Sequence, residues 1–140
     1  MNPRFLVLTL GVFTFLGAIR AQELDTCVTA RVPEAYVLPD GSVHEPGRLS
    51  LCLAENLSPV TGLHRVAVEG HTLGLARSHR TLAESRDVAE PLVLFRRHAG
   101  RLELMGYVVR IDRKTWSYAL ADPEPQPARG ELVAVLGRRS

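Results

Sequence analysis

Three of the chain's five histidines lie within residues 63–80, LHRVAVEGHTLGLARSHR. The imidazoles of His64, His71 and His79, with the Glu69 carboxylate among them, are groups that a zinc site or an acid–base pair uses. Zinc needs three or four ligands converging on one point, each about 2 Å away. The stretch alternates apolar and polar residues on both sides of Glu69-Gly70, which signals a hairpin. With a two-residue loop, Val68 faces His71, Val66 faces Leu73 and His64 faces Leu75. One face then reads His64, Val66, Val68, His71, Leu73, Leu75. Register follows the buried face, so this pairing predicts that Val66, Val68, Leu73 and Leu75 enter the core. It also holds His64 and His71 at least three residue rises apart, roughly 9 Å or more, too far to share one metal. Glutamate is a poor first residue for a type I′ turn, and a three-residue loop with a bulge at Gly70 would slip the pairing by one. The expectation is no metal and no catalytic residue, with His64, His71 and Glu69 as the alternative site. His44, His79 and His98 sit near loops and read as solvated surface.

Other chemistry has less support. There is no Gly-x-Ser-x-Gly, no close carboxylate pair and no Gly-rich phosphate loop, so the sequence predicts no cofactor. Trp116 and Tyr118 are two residues apart in a strand-like run and share a face, with Tyr107 on the preceding strand. Their first use is core, because this chain is short of large apolar groups. Their functional use is an aromatic platform for a sugar ring or a partner surface. Trp116, Tyr118, Tyr107 and Arg113 are therefore the candidate ligand-binding residues, ringed by Arg110 and Lys114.

The elements that must position these residues begin after a leader. Residues 1–21 have Arg4, an apolar run from Phe5 to Ile19, and Ala21 at a cleavage position, the layout of a secretory signal peptide with a signal helix. The run is shorter than the ~20 residues of a bilayer span. Loss of Arg4 and Arg20 takes the net charge from +2 to zero, which predicts no nucleic-acid partner and no stable membrane insertion once the leader is cut. Cys27 and Cys52, an isolated pair in an exported chain, read as one disulfide. Sixteen arginines against the single Lys114 suggest a GC-rich, bacterial coding sequence.

Beyond the leader the chain breaks about every ten residues. Strands are predicted at 27–32, at 48–55 with Leu49, Leu51 and Leu53 on one face, and at 116–120. LPDG at 38–41 is a turn. A second hairpin turns at Ala99-Gly100, pairing Arg96 with Glu103, Phe95 with Leu104 and Val93 with Gly106. The strand 102–111 is apolar on both faces and reads as central. Residues 78–90 are polar, either a loop or a short helix with a Thr81–Glu84 capping box. The sequence thus predicts an all-β domain at 22–121, a small antiparallel β-sandwich or partly open barrel of about seven short strands built on hairpins. A Pro-rich linker (122–130) and a short apolar segment with a basic end (131–140) follow, the latter either a last strand or a frayed tail. The function expected is that of a secreted or periplasmic binding or envelope-associated accessory protein with an unknown protein or glycan partner. The alternative is a small secreted hydrolase or metal-binding enzyme using His64, His71 and Glu69.

Overall fold

The computed structural model describes residues 26–83, 88–120 and 130–140. The leader (1–21) and all but the last residue of the Pro-rich linker lie outside these. Ten strands form, and no helix occurs among the described residues. They are β1 (Cys27–Val32), β2 (Tyr36–Val37), β3 (Val43–His44), β4 (Gly47–Asn56), β5 (Thr61–Val68), β6 (His71–Leu82), β7 (Leu92–His98), β8 (Arg101–Ile111), β9 (Lys114–Ala119) and β10 (Glu131–Arg139). The order is β3-β2-β8-β7-β10-β1-β4-β5-β6-β9, and β9 pairs back onto β8. Eight strands therefore close an antiparallel barrel, while β2 and β3 extend from one rim, β2 running parallel to β8. The expected all-β class is present, as a closed barrel. The segment expected as a last strand or a frayed tail is a full strand: β10 lies between β1 and β7.

Three tight turns build the hairpins. Glu69-Gly70, Ala99-Gly100 and Asp112-Arg113 each have both central residues at positive φ, the backbone of a type I′ turn whose twist matches the strands it joins. Glu69 occupies an unfavourable position because its side chain is used. Its carboxylate accepts the Arg48 N–H at 2.5 Å, over Gly47, where a Cβ would collide with it. The predicted pairs Val68–His71, Arg96–Glu103 and Phe95–Leu104 form, and Arg96 Nη2 lies 2.9 Å from Glu103 Oε2.

Bulges then correct the rest of the register. Leu73 is an extra residue in β6, so Val66 faces Gly74 rather than Leu73, and His64 faces Ala76 rather than Leu75. Leu73 and Leu75, expected in the core, are 49% and 63% exposed. Met105 is extra in β8, so Gly106 faces Leu94 rather than Val93. That bulge reverses the parity of β8 and sends Leu102, Leu104, Tyr107 and Val109 all into the core, which is why the strand reads as apolar on both faces. Bulges bend a strand and raise its twist, as closure requires. The short helix considered from Thr81 does not form at its start. β6 runs on to Leu82, and Thr81 pairs with Ser117.

The core is the barrel interior: Val28, Leu49, Leu51, Phe95, Leu102 and Tyr107 are enclosed, and Tyr36 on β2 packs edge-on to Phe95 at 6.0 Å. Cys27 and Cys52 face each other on β1 and β4 and are disulfide-bonded. A crosslink across that separation stabilises by about 3.5 kcal/mol in the chain-entropy treatment. The two late glycines of the hairpins differ in consequence. A Cβ on Gly106 (φ 155°) would lie 1.9 Å from the Tyr118 carbonyl oxygen, whereas one on Gly74 meets nothing within 4 Å. Gly106→Ala is expected to cost about 3 kcal/mol or more in urea unfolding, and Gly74→Ala to be within about 0.5 kcal/mol of neutral. Equal effects would contradict this account of closure.

Candidate functional site

One cluster of polar side chains lies inside the barrel. His64 on β5 and Tyr118 on β9 are separated along the wall by β6, whose inward residues Ala76 and Ser78 are small, so the two rings meet over them. His64 is fully buried, and its Nε2 lies 2.6 Å from the Tyr107 hydroxyl. The Tyr107 and Tyr118 rings stack at 4.8 Å with 13° between planes, and His64 stands edge-on to both at 5.3 and 5.2 Å. In either tautomer His64 Nδ1 meets no protein partner among the described residues, and neither does the Ser78 hydroxyl.

Burial disfavours the imidazolium and lowers the His64 pKa to about 4,. Burial, with the neighbouring Tyr118, raises that of the Tyr107 phenol. Both groups are neutral at physiological pH. They are a hydrogen-bonded pair enclosed with almost no exposure, and the arrangement rigidifies the core.

The candidate ligand-binding residues separate. Tyr107 and Tyr118 are buried in this cluster. Trp116 is half-buried at the end of the barrel, with the Arg80 guanidinium 4.3 Å above its ring, a cation–π contact,. Arg80 also donates to the Pro59 carbonyl at 2.7 Å. Arg113 is exposed at the β8–β9 turn. Arg80 was missed by sequence reasoning, although it shares the inward parity of Ser78 on β6. The alternative site separates as well: three ladder rows divide His64 from His71, and Glu69 is engaged by the Arg48 backbone. His44 Nε2 lies 2.8 Å from the Ser42 hydroxyl and its ring stacks on Tyr36. Among the described residues, no group of three His, Cys, Asp or Glu is placed to hold a metal ion.

No family model matches the chain, and no curated protein and no solved structure is similar to it. The function is argued from the geometry.

Two measurements test the interior. The folded-state His64 pKa lies below its unfolded value of 6.5, so the unfolded chain binds the proton first. The stability that neutral His64 contributes is intact above pH 6.5 and is lost as pH falls towards 4, about 3 kcal/mol in all. The stability difference between wild type and His64→Gln should shift by that amount between pH 7 and 4; parallel curves would refute it. At neutral pH Tyr107→Phe, which strips His64 Nε2 of its partner, should cost about 1–3 kcal/mol in urea unfolding. Ser78→Ala, which removes an unpaired hydroxyl, should cost nothing or stabilise.

Proposed function

We propose that the chain is an exported, non-enzymatic β-barrel domain that acts by binding a protein or glycan partner, as an accessory protein of the cell envelope or its exterior. One observation carries the reading. The polar cluster of the barrel, His64 with Tyr107 and Tyr118, is enclosed, while large aliphatic side chains are held outward. Leu132 and Leu136 on β10 are 53% and 65% exposed. With the half-buried Leu92 and Leu94 of β7 they form an apolar strip on the outer wall, in the rows Leu136–Leu92 and Ala134–Leu94. Contiguous outward apolar surface marks interaction sites. The Cys27–Cys52 disulfide is consistent with an oxidising compartment,. Exposed Arg48, Arg65 and Arg77 on other outer faces argue against a lipid-facing band all round the barrel. The enzymatic alternative loses support because His64 is enclosed and Glu69 is used at its turn.

A photo-crosslinking residue placed singly at 136, 75 or 113 in the exported protein tests this. The expected result is one reproducible adduct, identified by mass spectrometry, from at least one of the three positions. No adduct from any of them, or ester hydrolysis that His71→Ala abolishes, would overturn the reading.

A further inference from the structure

β6 has two backbone edges. One is paired with β5 along its length, and the other meets β9 only from His79 to Leu82. On that second edge His71–Ser78 has no partner among the described residues. The hydrogen bonds fix which groups face the opening. The Leu120 N–H donates to the Met105 carbonyl of β8, while the Thr115 carbonyl accepts the Ala83 N–H beyond the end of β6. Even residues of β9 therefore address β8 and odd residues address β6. On β6 the Arg80 N–H donates to the Val60 carbonyl, so even residues address the β5 side. The backbone groups of Leu75 and Arg77 face the open side.

The register of β6 with β9 sets His79 against Ala119. Carried further, it would set residue 121 against Arg77, 123 against Leu75 and 125 against Leu73. Residues 123, 125 and 127 are all proline. They occupy the parity whose N–H groups would serve β6, and proline has none. In the other parity the same prolines would leave that edge its donors. A strand made of this continuation would offer β6 no backbone donors at these three positions,.

The open edge is only partly protected. Between His71 and Leu82 there is no lysine and no proline, while the Leu73 bulge and the charges of Arg77 and Arg80 are present,. Its outward side chains include the exposed Leu73 and Leu75. Around Leu75 the surface is basic, with Arg65 directly opposite on β5 and Arg77 two residues along.

We propose that the open edge of β6, His71–Ser78, binds an extended segment of a partner protein by β-strand addition, the segment carrying apolar and acidic side chains in turn along one of its faces. The proposal rests on the binding reading above and names the partner's chemistry. Backbone groups of the segment complete the ladder at Leu75 and Arg77. Its apolar side chains settle on Leu73 and Leu75, and its carboxylates meet Arg65 and Arg77. A second copy fits less well. Its β6 would bring its own β5 and β4 behind it, directed at β8 and the β2–β3 arm of the first, whereas a single strand brings nothing behind it.

The test uses the full exported protein and the synthetic peptide Val-Thr-Glu-Thr-Val-Thr-Glu, whose valines and glutamates share one face, as probe. Saturable binding is expected, weakened by salt, with amide exchange slowed at Leu75 and Arg77. Leu75→Pro deletes an edge-facing N–H without touching the β5 ladder, and should weaken binding roughly tenfold or more at an unchanged thermal midpoint. Should that variant unfold, a peptide N-methylated at every residue serves instead, and must fail to bind wild type. Equal binding by a folded Leu75→Pro, undiminished binding of the methylated peptide, or protection confined to other strands would overturn the proposal. So would a wild-type dimer that Leu75→Pro dissociates, which would make the occupant a second copy. Photo-adducts from position 136 or 113 with no peptide at β6 would sink this proposal and leave the binding domain standing.

Discussion

Two backbones pass in contact where β8 meets β9, and the barrel depends on that approach. Gly106 lies against the Tyr118 carbonyl, at a distance no side chain permits. The approach follows directly on the Met105 bulge, which bends β8 towards its partner,. It brings Tyr107 and Tyr118 face to face, and their stacked rings form the wall against which His64 stands. A β-carbon at position 106 would part β8 from β9. With β9 displaced, β6 would lose its four paired positions, and the sheet would be open along that side.

What the sequence made legible is what parity alone determines. Runs without a bulge, such as Leu49-Leu51-Leu53 on β4, face where their alternation says. The hairpin tips are legible too, because Gly70 and Gly100 mark them and the first pairs follow from loop length. Beyond each tip a single extra residue inverts the pattern. Leu75 looks like core because Val66 and Val68 are core two strand positions away, yet the bulge at Leu73 turns it outward. The candidate site was legible only in its residue types. That Tyr118 faces His64, and that Trp116 lies under Arg80, depends on β6–β9 pairing across a long sequence separation. No local pattern encodes that pairing.

The prolines carry a signal that composition hides. A stretch with three prolines reads as linker, a segment that no sheet accepts,. Their alternation says something narrower, because proline removes donors on one edge of a strand only. Which edge is affected depends on the parity of β9, and that is fixed by the Leu120–Met105 and Ala83–Thr115 bonds. Among the described residues one seam of the barrel is closed along four pairs, and an unpaired strand edge is an aggregation hazard,. The staple at Cys27–Cys52 fixes β1 to β4 on the far side of the β4-β5-β6 meander. That side stays closed whatever happens at the open one.

The interior histidine is the remaining oddity, since an aliphatic residue would fill a barrel without polar demands. His64 lies where β4, β5 and β6 form one ladder row, Leu53–His64–Ala76. Its ring reaches over the small β6 side chains to the tyrosines, a span that leucine would cover only in part. The Tyr107 hydroxyl needs a partner in this enclosed interior, and His64 Nε2 is within hydrogen-bond reach of it,. Once the phenol of β8 must be satisfied, a flat ring with one nitrogen at that height answers both demands. Its depressed pKa follows from the enclosure and requires no functional selection,. The histidine that first suggested chemistry is held in the core by a tyrosine, and the chemistry-poor leucines of the same hairpin, Leu73 and Leu75, face the solvent.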